Sequence, residues 1–360
     1  MPVVRRLMQI AVAALTVAGA GRAIADPVSI TDQRGRTITL ARPAERVVFI
    51  PIPAPSTFMA IDGGPRRIVG INPTSLSAIR EGILGRMYPA AASIRADIVR
   101  SGFVPNVETI LSLQPDVVFQ WANEGEEVIA ALDRAGLPTL GMIYGTQETL
   151  EGYSRMFGMV AGKPERVEEI IRRQQARRAE LEQAMAGLPD AARPRVLNVG
   201  RFAAGLQVTG SGDYNDFYIR LAGGANAAAE LRGYGRPVTY EQVLAWDPQV
   251  ILLGTFDPAK PDDLYNDPRW QAVRAVRERR VYRLPLGGYR WDPPSQESAL
   301  TWTWVASLLQ PERVRANLRA DMAEWYQFLY GHALTPAEID EILNVAANGR
   351  SAGYAALATR

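Results

Sequence analysis

Cysteine and histidine, the side chains that most often bind metals or act as nucleophiles, are almost absent from this 360-residue chain. It contains no cysteine and a single histidine, His332. Disulfides, iron–sulfur clusters, thiolate zinc sites and cysteine nucleophiles are therefore excluded. A metal site with two histidine ligands cannot be built within one chain. A Ser-His-Asp triad would depend on His332 alone, and we do not expect one.

The residues best placed for binding are aromatic, arginine and hydroxyl side chains that follow apolar runs, together with two residues that precede a predicted helix. Ligands of open α/β sheets bind beyond the carboxyl ends of the strands, so these side chains should converge on one cleft. Aromatic rings with a few arginines suit a large, flat, partly anionic ligand, although each ring alone is equally well explained by burial. The candidate ligand-binding residues are Ser56, Arg100, Phe103, Trp121, Tyr144, Arg201, Phe202, Thr255, Tyr289, Arg290 and Trp291.

A helix–turn–strand pattern that occurs twice predicts the elements that must position these side chains. Residues 107–119 and 240–252 each contain a glutamate (Glu108 and Glu241), an apolar pair, a proline and an apolar run at constant spacing. The proline ends the helix, and the apolar run is typical of a strand buried on both faces. Each half also begins with a similar strand, at 46–50 and 195–199. The pattern predicts an α/β fold with two lobes, each with a central, mostly parallel sheet flanked by helices.

Apolar residues at helical spacing fill the stretch between the two lobes. We expect a connecting helix region at 146–190, with one long rigid helix between an N-terminal lobe (26–145) and a C-terminal lobe (191–331). A helical tail is expected at 332–360. It begins with a capping pattern at Thr335 to Glu338 and should fray toward its Gly- and Ala-rich end.

The first 25 residues have the order of a secretory signal peptide. Arg5 and Arg6 precede an apolar run at 7–20, and Ala23-Ile24-Ala25 forms a small-x-small cleavage site. A membrane anchor is the alternative, but the run is short for a bilayer. We expect cleavage before Asp26 and a periplasmic mature chain that is not embedded in the membrane.

The order and spacing of these features resemble the periplasmic substrate-binding proteins of ABC importers for iron–siderophores, haem, cobalamin and molybdate. The resemblance covers residues 28–309, and its carriers are the segments 30–36, 46–48, 65–70, 108–119, 210–212, 221–226 and 241–252. It implies a helical connection between the lobes, a ligand in the cleft, and no catalytic residue, cofactor or bound metal. It also implies that Glu108 and Glu241 each dock an arginine pocket on one subunit of the permease dimer. As residues alone, both glutamates are equally well explained by their place at a helix start.

The resulting prediction is a monomeric solute-binding protein that captures a metal chelate, with a ferric siderophore as the leading candidate, and delivers it to an ABC importer permease with its ATPase. A corrinoid or an oxyanion such as molybdate is the alternative ligand. A bare oxyanion needs only a small polar pocket with several N–H or arginine donors. Haem ranks lower, because His332 lies outside the lobes and only Tyr144 or Tyr289 is left as an axial ligand.

A function of another class, a secreted hydrolase with paired carboxylates, is also compatible with the residue types. Its candidate carboxylates are Asp213, Asp216, Asp257 and Glu297, but no spacing supports a catalytic pair. Nucleic-acid binding is not expected, because 40 basic residues nearly balance 38 acidic ones.

Overall fold

Two α/β lobes joined by a long helix make up the structure, a computed structural model that describes residues 27–203, 205–314 and 316–359. The predicted signal peptide lies outside the described residues. Within the described ranges, no helix combines the length and apolarity needed to cross a membrane.

The N-terminal lobe is built on a four-stranded parallel sheet with the strand order β4-β3-β7-β8. The central strands β3 and β7 are buried along their whole length because helices cover both faces of the sheet. The elements of this lobe are β1 (Val28–Thr31), β2 (Thr37–Leu40), β3 (Val47–Phe49), α1 (Ala54–Asp62), β4 (Ile68–Ile71), α2 (Pro73–Glu81), α3 (Leu84–Met87), β5 (Val99–Ser101), β6 (Val104–Pro105), α4 (Val107–Ser112), β7 (Val117–Trp121), α5 (Glu126–Arg134), β8 (Thr139–Met142) and α6 (Gln147–Ala161).

The connection between the lobes is α7 (Pro164–Ala184), which begins with a proline and runs for 21 residues. The region predicted as connecting therefore contains two helices, and the first of them, α6, packs on α1 of the N-terminal lobe. Gln174 in the middle of α7 is buried. It accepts a hydrogen bond from Gln147 on α6 and donates to the carbonyl oxygens of Ser295 and Gln296. These bonds fix the helix to both sides of the molecule.

The C-terminal lobe contains a six-stranded, mostly parallel sheet with the order β12-β10-β9-β13-β14, and β11 pairs with β9. Strands β9, β11, β13 and β14 run parallel, whereas β10 and β12 form an antiparallel edge. The elements of this lobe are β9 (Arg195–Arg201), β10 (Gln207–Val208), α8 (Tyr214–Leu221), β11 (Ala225–Asn226), β12 (Arg236–Pro237), α9 (Tyr240–Trp246), β13 (Val250–Leu253), α10 (Pro261–Tyr265), α11 (Arg274–Arg277), β14 (Val281–Arg283) and α12 (Ser298–Leu309).

The repeated helix–turn–strand pattern occupies equivalent places in the two lobes. The helix α4 leads into β7, which pairs with β3 through Val47 and Val117. The helix α9 leads into β13, which pairs with β9 through Val196 and Val250. The prediction of two α/β lobes of related design is therefore confirmed.

The C-terminal segment is more ordered than its composition indicates. It contains α13 (Leu318–Tyr330), α14 (Pro336–Ile342) and α15 (Tyr354–Ala358), and Thr335 forms the predicted capping box with Glu338. The expectation of a frayed end is wrong. Tyr354 is buried, and its hydroxyl accepts a hydrogen bond from Trp304 at 3.1 Å. One aromatic anchor thus holds a chain end whose small residues alone indicate disorder.

Candidate ligand-binding site

A cavity of about 240 Å³ lies between the two lobes, at the carboxyl ends of their strands. Trp121 ends β7 and Arg201 ends β9, while Tyr144 and Phe256 follow β8 and β13 within three residues. The cavity lies where the rule for open α/β sheets predicts it. Its walls are formed by Ile52, Phe103, Trp121, Glu124 and Tyr144 of the N-terminal lobe and by Arg201, Asn215, Tyr234, Phe256, Asp292 and Pro293 of the C-terminal lobe.

Four of the eleven candidate residues from the sequence line this cavity: Phe103, Trp121, Tyr144 and Arg201. The three rings form one aromatic wall, since the ring centroids of Phe103 and Tyr144 lie 6.3 and 5.7 Å from that of Trp121. Edge-on packing of this kind holds the rings in place and leaves an apolar surface for a ligand.

Two further candidates, Thr255 and Arg290, do not line the cavity but contact lining residues of the C-terminal lobe. The backbone N–H and the hydroxyl of Thr255 donate to the carboxylate of Asp292 at 2.9 and 3.0 Å. The guanidinium of Arg290 forms an ion pair with Glu81 of the N-terminal lobe at 3.1 Å and lies 5.1 Å above the ring of Phe256. Arg290 therefore links the two lobes, and its charge already has a partner.

The other five candidates are not among the described residues that line the cavity. Trp291 is fully buried and donates from Nε1 to Glu297. Ser56 donates within α1 to the carbonyl oxygen of Pro53. Tyr289 is buried, and Phe202 packs its ring against Trp270. Arg100 is exposed on β5.

Several wall residues were not predicted from the sequence, and Tyr234 shows why. It lies on the loop before β12, between Gly233 and Gly235, which have φ angles of 81° and 68°. Its hydroxyl approaches Gly200 so closely that a Cβ there would lie 2.7 Å from the oxygen. The Gly-Tyr-Gly sequence was the available signal, because two left-handed glycines that flank one residue favour a turn with the ring of that residue at its tip.

The guanidinium of Arg201 is the positive charge at this cavity. It forms no ion pair or side-chain hydrogen bond with any other residue that the structure describes. Burial raises the pKa of Tyr144 and of Tyr234, so both phenols keep their protons and can donate hydrogen bonds. An unpaired guanidinium beside phenolic donors is suited to an anion.

Three carboxylates lie in or near the cavity wall, and burial raises the pKa of each. Burial raises the pKa of Asp292, and the Thr255 donors and the charges of Arg290 and Arg283 act in the opposite direction. Burial also raises the pKa of Glu124 on the opposite wall and, to about 6, that of Asp213 at the start of α8.

The four carboxylates considered for hydrolysis have structural partners. Glu297 accepts hydrogen bonds from Gly288, Trp291, Tyr326 and Tyr330. The N–H groups of Phe202 and Ala203 donate to Asp257, Asp216 pairs with Arg220, and Asp213 caps α8. Within the described ranges, no group of three or more His, Asp or Glu side chains is arranged to hold a metal ion.

Two lobes that face each other across a cavity and are connected by one long helix define a ligand-binding protein. The sequence pattern of the periplasmic binding protein family matches residues 99–286, so the chain belongs to this family. It is a periplasmic solute-binding protein of an ABC transporter and not an enzyme.

Individual relatives agree with this assignment. The chain is 26% identical over 356 residues to the molybdate-binding protein MolA of Haemophilus influenzae, covering 92% of this chain and 98% of that protein. A periplasmic solute-binding protein from Veillonella parvula has a similar crystal structure, with a TM-score of 0.82, 33% identity, and coverage of 90% and 99% of the two chains. The crystal structure of MolA bound to molybdate gives a TM-score of 0.74 at 23% identity, with coverage of 85% and 99%.

Proposed function

We propose that this protein captures a small tetrahedral oxyanion of the molybdate kind in the cavity between its lobes and delivers it to the permease of its importer. The observation that carries the proposal is the unpaired guanidinium of Arg201 at a small cavity with phenolic donors. Similarity along most of the chain to a molybdate-binding protein supports it.

The size of the cavity favours a small ligand over a large one. At about 240 Å³ it is smaller than the roughly 300–1,000 Å³ of cavities that hold drug-sized ligands. An arginine fork binds two oxygens of an anion at once, and Tyr144 and Tyr234 can donate to the others. The donors come from both lobes, so a bound anion would hold the lobes together.

A metal chelate, with a ferric siderophore as its main example, is the second candidate. The aromatic wall of Phe103, Trp121 and Tyr144 favours it, because flat apolar surfaces suit the rings of a chelator more than a bare oxyanion. In this case Arg201 would neutralise the negative charge of the chelate.

Calorimetric titration of the refolded, ligand-free protein separates the two candidates. We expect stoichiometric binding of sodium molybdate and no heat from a ferric catecholate complex. Arg201→Ala should weaken molybdate binding at least about tenfold. Arg236→Ala, which removes an exposed arginine of the same lobe, serves as the matched control and should leave the affinity unchanged. Binding of the ferric complex without binding of molybdate would establish the second candidate instead.

For delivery, we propose that Glu108 and Glu241 dock the two permease subunits. Both are exposed in the first turns of equivalent helices, α4 and α9, one on each lobe. Two equivalent charges on related lobes match a permease with two related subunits, and complementary charge sets orientation and on-rate. We also propose that export to the periplasm uses the signal peptide at 1–25, with cleavage before Asp26.

A further inference from the structure

Asn215 is a buried polar residue of the cavity wall with a hydrogen-bonding atom left over. It is 1% exposed, and it occupies the second position of α8. Its Nδ2 donates to Oδ1 of Asn198 at 3.1 Å and to the hydroxyl of Tyr218 at 3.0 Å. Its Oδ1 has no partner among the residues that the structure describes. Buried polar atoms are nearly always paired, so an unpaired one in a cavity wall needs a partner from the cavity, either a ligand or a water molecule.

The amide of Asn215 is held by a frame of three side chains. Asn198 on β9 is fully buried, accepts a hydrogen bond from Thr209 at 2.9 Å and donates to Tyr218 at 3.0 Å. The N–H of Asn215 is in turn capped by Asp213. The frame fixes the plane of the amide before a ligand arrives, and such preorganisation lowers the entropy lost on binding.

The frame also accepts the amide in a second orientation, at the cost of one hydrogen bond. If Asn198 and Asn215 both turn over, Nδ2 of Asn198 donates to Thr209 and to Oδ1 of Asn215. The hydroxyl of Tyr218 has one proton, so it then donates to Oδ1 of Asn198, and its hydrogen bond with Asn215 is lost. Nδ2 of Asn215 is now the atom left over. An anion would select this second orientation, because its oxygens accept hydrogen bonds and an amide oxygen would repel them.

We infer that Asn215 is a specificity-determining residue of this site and that it donates a hydrogen bond from its amide to an oxygen of the bound anion. The inference rests on the proposed oxyanion function. It assigns to the C-terminal lobe a neutral donor whose direction is set by Asn198, Thr209 and Tyr218.

Two substitutions at this position, titrated with sodium molybdate at pH 7.5, test the inference. Asn215→Ala should lower the affinity ten- to one-hundredfold. Asn215→Asp keeps the shape but replaces the donor by a negative acceptor, and it should bind more weakly than Asn215→Ala. Asn348→Ala is the matched control. Asn348 is equally buried in the C-terminal segment and bonded to the backbone of Arg283, and it does not line the cavity. Its loss should lower the melting temperature without changing the affinity.

The results separate this inference from the proposed function. Unchanged molybdate affinity of Asn215→Ala, with the expected loss for Arg201→Ala, would overturn the role of Asn215 and leave the oxyanion function intact. If Asn215→Asp binds molybdate as tightly as wild type or more tightly, Asn215 does not donate a hydrogen bond to the anion. If wild type binds the ferric catecholate complex but not molybdate, the oxyanion function fails. Asn215→Ala is then titrated with that complex, where a tenfold loss supports the contact and an unchanged affinity overturns it.

Discussion

Asp213 should make both the stability of this protein and the proposed binding of an oxyanion depend on pH. It is 8% exposed, caps α8 by accepting a hydrogen bond from the N–H of Asn215 at 3.3 Å, and lies near the cavity. Burial, with a smaller contribution from the charge of Asp216, raises its pKa from the usual 3.8 to about 6. The folded state therefore prefers the protonated carboxyl. Its contribution to stability is complete below about pH 4 and is lost as the pH rises through about 6.

The magnitude follows from the shift of this pKa. One pKa unit corresponds to about 1.4 kcal/mol, so ionising Asp213 in the folded protein costs about 3 kcal/mol. Asn is as good an N-cap as Asp but carries no charge. We therefore expect Asp213→Asn to raise the free energy of unfolding by up to about 3 kcal/mol at pH 7.5 and to leave it nearly unchanged at pH 4.

Urea unfolding of both proteins between pH 4 and 8 measures this difference. Asp190→Asn, at a fully exposed carboxylate, controls for the loss of a negative charge and should show no comparable dependence on pH. The same series reports on the ligand. Molybdate affinity of wild type should increase as the pH falls through about 6, because protonation removes a negative charge near the cavity, and Asp213→Asn should lose this part of the dependence. A stability difference that does not change with pH would refute the reasoning.

Three further predictions concern residues outside the cavity wall. The double variant Glu108→Ala/Glu241→Ala should keep its melting temperature and ligand affinity but lose about tenfold or more of its uptake in a transport assay. Normal uptake by the double variant would refute docking, and the two glutamates would then only stabilise the starts of their helices. Arg290→Ala should lower the stability by about 1–3 kcal/mol in thermal unfolding, and Glu81→Ala at least as much because it leaves a buried guanidinium unpaired. Equal melting temperatures of wild type, Arg290→Ala and Glu81→Ala would contradict a stabilising link between the lobes. Tyr289→Phe removes a buried hydroxyl without a partner among the described residues and should change neither stability nor calorimetric affinity. A loss of affinity would place that hydroxyl at the ligand.

The fold could be predicted from the sequence because its main signals are local. The apolar runs of β7 and β13, each preceded by a proline and a short helix, stay recognisable however the chain packs. The C-terminal end could not be predicted in this way, because the order of its last helix depends on the contact between Tyr354 and Trp304, which lie 50 residues apart.

The site could be predicted only in the part that follows from strand ends. Trp121 and Arg201 end their strands, and ligands of open α/β sheets bind at the carboxyl ends of strands, so the sequence predicts both residues at the site. Asn215 is the second residue of a helix and Tyr234 lies on a loop, and neither position is tied to the cavity by any local pattern. Trp291 and Asp292 show the limit of such rules. They are neighbours in the chain, yet Asp292 lines the cavity and Trp291 is buried against Glu297.

The two arginines predicted for the cleft show which information the sequence lacks. Arg201 and Arg290 are the same residue type; Arg201 ends β9 and Arg290 follows β14, both in the C-terminal lobe. Arg290 meets Glu81, 209 positions away, and is used to hold the lobes together. Arg201 meets no such partner among the described residues and keeps its charge available at the cavity. The capacity of a charged side chain to bind a ligand depends on whether another residue has already neutralised it. The tertiary fold decides which charged residues meet, so the proposed anion site depends on the arginine that has no such partner among the described residues.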